Sequence, residues 1–270
     1  MKGLFKFNLT LLATLLTLCS LLTGCNGQNV QCKKTGYPHR VKYRAQSLKK
    51  LYAAELKQLN RVGRIAIIEP GKVDQFKKQL KRTEDGLLKK MKEQNIQNYS
   101  LYLKDLGDQT LAVFAYFETP EDTFDPDLLP GGKELNWTDV EQVFYQAGRT
   151  DIAVPKLKVK RVGMVIGVKP RMVESYVLIH KYTWPEVLQK NYEGNIREFS
   201  IYLYKLAEKY YIFGYFEYVG DDFAADMAMI DSDSATIAWM KFTDEGCQLP
   251  IPTRAEGEWW AVMEEIFHSD

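Results

Sequence analysis

The chain has 270 residues, 46% of them hydrophobic and 26% charged, which is the composition of a globular protein and excludes a disordered one. Lys and Arg total 36 against 35 Asp and Glu, a formal net charge of +1. With no basic excess to neutralise phosphates, the balance argues against a nucleic-acid partner. Aromatic residues make up 13%, enough for a rigid core or for sugar-stacking platforms.

The first 24 residues read as a removable signal. Lys2 and Lys6 precede an uncharged run from Leu9 to Gly24, shorter than the roughly 20 apolar residues of a spanning helix. The run closes on Leu22-Thr23-Gly24-Cys25, which resembles the lipobox of bacterial lipoproteins, cut before a cysteine that is then acylated. Cys25 is therefore the expected lipidation site. The protein is expected on a membrane face in the cell envelope, periplasmic or surface; the alternative is an uncleaved anchor helix. Residues 25–59 form a polar tether, with His39 in it, and then a short amphipathic helix in AQSLKKLYAAELKQLN. Cys19 leaves with the signal. Cys32 and Cys247 remain, either paired or as two free thiols.

From residue 60 onward the chain repeats itself. Arg61-Val62-Gly63 returns as Arg161-Val162-Gly163, and Asn98-Tyr-Ser-Leu-Tyr-Leu103 as Glu198-Phe-Ser-Ile-Tyr-Leu203. Phe114-Ala-Tyr-Phe-Glu118 returns as Phe213-Gly-Tyr-Phe-Glu217, and Val143-Phe144 answers Ile266-Phe267. Two repeats, 60–150 and 160–270, follow. The second reads as a strand (GMVIGVKP), a helical stretch from Arg171 interrupted at Trp184-Pro185, and a hairpin of FSIYLYKL and YYIFGYFEY. A helical segment from about Asp222 to Phe242 and a last strand, WAVMEEIFH, complete it. The order β-α-β-β-α-β describes an α+β ferredoxin-like unit. Its sheet has one face without helices, and the second copy can cover it. The expected architecture is a dimeric-barrel-like pseudo-dimer inside a monomeric chain. In the first repeat, prolines and Gly131-Gly132 favour a loop where the second has a helix.

The repeats differ most in one place. Tyr176 and His180 share a helix face at i, i+4, and one hundred residues earlier Phe76 and Leu80 stand in their positions. A histidine titrates near neutrality and can both give and take a proton.

The run Tyr-x-x-x-His, Trp-Pro-Glu, Ser-Ile-Tyr-Leu, a Trp near Thr-Asp-x-x-Cys-Gln, and Glu-Glu-Ile-Phe-His resembles the L-rhamnose mutarotase family over 160–270. The resemblance implies a small barrel that interconverts the α and β anomers of L-rhamnose or a related 6-deoxy sugar, with neither metal nor organic cofactor. It implies His180 as the acid/base and Tyr176 as a sugar contact. A tandem tryptophan pair of the family falls on Trp239 and Met240, expected to bind substrate, and a sugar-contacting tyrosine falls on Phe199. The first repeat resembles the family only in its strands, as a decayed copy that keeps Tyr99 without a histidine. Trp184 is open to either packing or stacking. Trp259-Trp260 and His268 read as structural, and the Lys-rich runs KKQLKR and LLKKMK as solvated helix faces. The other reading is a sugar-binding or scaffold lipoprotein that keeps the fold without the reaction.

Overall fold

Strands that are apolar on both faces build two antiparallel sheets whose faces differ in what they meet. In the computed structural model, residues 59–120, 129–131, 135–148 and 158–270 are described. The chain divides into two compact units, 1–43 and 44–270, and the fold below belongs to the second. The signal, Cys25, the tether with Cys32 and His39, and the expected amphipathic helix lie outside the described residues.

The first repeat begins with β1 (Asn60–Ile68) and α1 (Val73–Glu93), followed by β2 (Gln97–Asp105) and β3 (Leu111–Thr119). Two short strands, β4 (Thr138–Asp139) and β5 (Glu141–Gln146), end it. The second repeat opens with β6 (Lys160–Val168), α2 (Val173–Lys181) and α3 (Pro185–Glu193). It continues with β7 (Ile196–Leu206), β8 (Lys209–Tyr218), α4 (Phe223–Asp231) and α5 (Ser234–Met240). A π-helical turn (Lys241–Cys247) leads to β9 (Gln248–Leu249), β10 (Ala261–Val262) and β11 (Glu264–Ser269).

The sheets are not those of two self-contained units. One runs β11-β2-β3-β1-β4 and the other β10-β6-β8-β7-β5, with β9 also on β6. The closing strand of each repeat has crossed to the other repeat's sheet. In β5, Phe144 lies opposite Ile201 and Tyr145 opposite Ser200; in β11, Phe267 lies opposite Leu101 and His268 opposite Ser100. Both exchanged pairs bulge at the same place, at Val143 and at Ile266. The expected strand WAVMEEIFH is thereby divided: Ala261 and Val262 stay on their own sheet and Glu264–Ser269 joins the other.

Between the sheets lies an aromatic core. Tyr102, Phe114 and Tyr116 meet Tyr202, Phe213 and Tyr215, all fully buried. Tyr116 and Tyr215 stack with centroids 3.7 Å apart. This core explains the repeated glycines. A Cβ on Gly63 would stand 2.6 Å from the ring of Tyr202, and one on Gly163 would stand 2.4 Å from the ring of Tyr102. Each sheet leaves a notch for the other's tyrosine. At one end of the core the packing turns polar. Arg61 pairs with Glu198 at 3.1 Å, and Arg161 donates to Asn98 Oδ1 at 3.3 Å. Asn98 and Glu198 are repeat-equivalent and both left-handed, at φ 50° and 48°, each at a β-bulge.

The outer faces are covered by helices. In the first repeat α1 runs unbroken for 21 residues and buries Phe76, Leu80, Leu87 and Met91 against Leu101, Val113 and Phe117. In the second the same length is divided. Pro185 sits in the first turn of α3, where its missing N–H is no loss, and Trp184 before it is extended. The expected helix from Asp222 to Phe242 is likewise two. Asp233 accepts from the Thr236 amide at 3.0 Å and starts a new helix one turn after α4 ends.

Candidate active site

The break between α2 and α3 opens a cavity of about 520 Å³ between the helices and the outer face of the second sheet. Tyr176 and His180 reach it from α2, Trp239 and Met240 from α5, and Phe199 from β7. The residues that sequence reasoning singled out for substrate thus line one space. Phe144 also lines it, and Phe144 comes from β5 of the first repeat.

His180 is 8% exposed and boxed by rings. Tyr176 lies against it at 4.1 Å between centroids, Trp239 meets it edge-on at 5.4 Å and Phe144 at 5.9 Å. Trp184, partly exposed, packs edge-on against Trp239 at 5.6 Å. The Nδ1–H of His180 donates to the carbonyl of Tyr176, one turn earlier, at 2.8 Å. That bond fixes the tautomer and leaves Nε2 as a lone pair. Burial disfavours the imidazolium and lowers the pKa to about 4, with the carbonyl bond opposing it weakly. At neutral pH the ring is an uncharged base.

Tyr176 is 1% exposed, and burial holds its hydroxyl far above the ordinary range, so it stays protonated. Its oxygen accepts from Gln248 Nε2 at 3.3 Å, and Gln248 Oε1 accepts from Trp259 Nε1 at 2.6 Å. Trp259, expected only to pack, therefore also holds Gln248. Gln146 of β5 clamps α3: its Nε2 donates to the Leu188 carbonyl at 2.7 Å, and Asn191 donates to its Oε1 at 3.1 Å. Phe199 packs edge-on against Phe144 at 5.4 Å and Phe216 at 5.8 Å, an apolar floor where a tyrosine would bring a hydroxyl. Cys247 is buried and free among the described residues.

His268 lies elsewhere. It sits on β11 with Nδ1 2.9 Å from Ser100 Oγ and Nε2 3.2 Å from Asp270, on the first repeat's sheet. Sequence reasoning missed Phe144, Gln248 and Asp244 in the cavity wall. The Thr-Asp-x-x-Cys-Gln run was visible but suggested no role, and nothing in β5 says which sheet it joins.

Two face-packed antiparallel sheets with exchanged closing strands and helices outside define a dimeric α+β barrel, here folded from one chain. Residues 161–269 match the model of the L-rhamnose mutarotase family. None of the curated proteins matches. Among solved structures, the chain is similar to a monooxygenase-like protein from Fusobacterium nucleatum, at 13% identity and a TM-score of 0.44 over 78% of this chain and 94% of that one. It is similar to a second from Lactobacillus acidophilus, at 7% identity and a TM-score of 0.43 over 77% and 95%. A mutant chlorite dismutase from Candidatus Nitrospira defluvii follows at 12% identity and 0.37, over 81% and 95%.

Proposed function

We propose that this protein is an exported, lipid-anchored sugar mutarotase that interconverts the anomers of L-rhamnose or a related 6-deoxy sugar, with His180 as acid/base. The family match supports sugar mutarotase activity in general. The observation that carries the role of His180 is its geometry: a neutral imidazole with one nitrogen committed to the backbone and the other free, in a cavity shared with Tyr176. Ring opening removes a proton from the anomeric hydroxyl, and Nε2 takes it. Ring closure on the opposite face returns it. An imidazolium formed in so dry a place is a strong acid and gives the proton back readily. The indole of Trp239 and the rings of Phe144 and Phe199 suit the apolar face and methyl group of a 6-deoxy sugar. No covalent step is required.

Saturation-transfer NMR on L-rhamnose tests the reaction. His180→Ala is expected to slow the protein-dependent exchange about 10²–10⁴-fold with an unchanged circular dichroism spectrum. A variant as fast as the parent would remove His180 from the reaction. The second reading is a binding module, favoured by Phe199 and Met240, which leave the pocket one hydroxyl and one indole short of the family pattern. A folded chain that binds 6-deoxy sugars without accelerating exchange would establish it. Lipid anchoring rests on Leu22-Thr23-Gly24-Cys25. Mass spectrometry of the exported protein should find an acylated N-terminal Cys25, and an intact Met1 there would refute anchoring by this route. The chain is expected to be monomeric, since the second repeat takes the place of a partner.

A further inference from the structure

Anomer exchange has two proton positions, and His180 fills one. When the anomeric hydroxyl loses its proton, the ring oxygen must gain another. His180 has a single free nitrogen, so a second group has to face the sugar. The Thr-Asp-x-x-Cys-Gln run supplies part of the cavity wall through the π-helical turn Lys241–Cys247. Such turns are rare and concentrate at functional sites. This one buries Thr243 and Cys247 and places Asp244 in the lining.

Thr243 anchors Asp244 in the wall: its Oγ1 donates to Asp244 Oδ1 at 3.0 Å and lies 3.2 Å from the Trp239 carbonyl. Counting donors and acceptors orients Tyr176. Trp259 Nε1 only donates, so it claims Gln248 Oε1 and turns Nε2 toward the Tyr176 oxygen, whose own hydrogen is left to donate to a ligand.

We propose that Asp244 is the second catalytic residue of this site, a carboxylic acid that protonates the sugar ring oxygen while His180 takes the anomeric proton. The inference rests on the mutarotase reading. As the C1–O5 bond breaks, O5 takes the Asp244 proton, O1 gives its proton to His180 Nε2, and C1=O1 forms. After rotation about C1–C2, O5 attacks the other face of C1 and returns its proton to the Asp244 carboxylate, while His180 reprotonates O1. Both groups end as they began. Tyr176 donates a hydrogen bond and transfers no proton.

The electrostatics agree. Burial pushes Asp244 up to about 6, helped by the carboxylates of Asp231 and Glu245 and opposed by the Thr243 hydroxyl. Lys169 is the nearby cation; its ammonium binds the Glu245 and Gly246 carbonyls of the same turn, at 2.6 and 3.0 Å. Tyr176 and Cys247 are the other titratable neighbours, and Glu258 lines the same cavity. Between pH of about 4 and 6 the dominant form has a neutral His180 and a protonated Asp244.

The test is the pH profile of protein-dependent L-rhamnose exchange, with the solvent rate subtracted. The parent should be fastest between about pH 4 and 6 and lose about tenfold per unit above 6. Asp244→Asn should be about 10²–10⁴-fold slower and lose the alkaline limb. Asp244→Glu should recover part of the rate and the limb, which answers the case of an Asn variant that does not fold. Carbon-13 carboxyl titration of the parent should place Asp244 near 6. Parental rate and limb in Asp244→Asn would overturn the assignment and leave the mutarotase reading standing. A folded parent inert toward L-rhamnose and related 6-deoxy sugars overturns both.

Discussion

The outer faces of the two sheets occupy equivalent places in the two repeats and differ in kind. Over the first, α1 passes without a break, and Phe76 and Leu80 fill the place that Tyr176 and His180 occupy over the second. Leu129 is buried in the same apolar cluster, with Trp137 packed at its edge. Over the second, Trp184-Pro185 splits the helix and a cavity opens. Thr83 and Thr183 mark how local the change is: each donates to a carbonyl of the preceding turn, Gln79 or His180, yet only the second is followed by a proline. The inner faces, by contrast, keep Gly63 and Gly163, Tyr102 and Tyr202, Phe114 and Phe213, and Tyr116 and Tyr215 as matched pairs. Packing two sheets needs these notches and rings twice, whereas the proposed reaction needs one cavity once.

Strand exchange makes that division less tidy than a scaffold beside an enzyme, and the largest expected effect tests it. Phe144→Ala, a change in the first repeat, should cost about 3–5 kcal/mol in urea unfolding and also slow anomer exchange, because Phe144 walls the second repeat's cavity. Its counterpart Phe267→Ala should leave the rate alone; equal rate losses in both would dissolve the contrast. Next is Leu80→Ala, expected to cost about 2–5 kcal/mol with an unaltered exchange rate per folded molecule. A change in rate there would mean that the first outer face still takes part in the reaction. Gly63→Ala and Gly163→Ala should each lose about 1–3 kcal/mol by overpacking against Tyr202 and Tyr102. The two losses should agree, and a harmless substitution at either would mean that the notches are slack.

The smallest effect has the opposite sign. Tyr99 is 1% exposed, and its hydroxyl has no hydrogen-bond partner among the described residues. Leaving such a group buried costs about 1–3 kcal/mol. Tyr99→Phe, which copies the residue already present as Phe199, should therefore raise the unfolding midpoint slightly. A clear drop would reveal a partner for the hydroxyl.

Much of this was legible in the residues. The hundred-residue offset located both copies, the Trp184-Pro185 pair marked the helix break, and the i, i+4 spacing of Tyr176 and His180 placed them on one face. What was hidden depends on distance in space. Val143-Phe144 answers Ile266-Phe267 of the closing strand, but pairing partners compete on nearly equal terms, so the exchange left no local mark. A π-turn has the composition of a helix end, which kept Asp244 and Gln248 out of view. Asp233 could have been read as a cap between two helices; the apolar residues on either side of it conceal the stop.

The exchanged strands also set the order in which this chain can be completed during synthesis. Residues 97–105 emerge from the ribosome early, but the segment that covers their open edge, Glu264–Ser269, is made only after the rest of the second repeat's strands. For the whole time that the second repeat is translated, at about 5–20 residues per second, the first sheet presents an unpaired edge. Such an edge is a template for other chains. The contact that closes it spans more than half the polypeptide, a distance that slows folding. Loss of Glu264–Ser269 would therefore strike the other repeat, stripping the first repeat's sheet of its outermost strand while the cavity around His180 kept its walls.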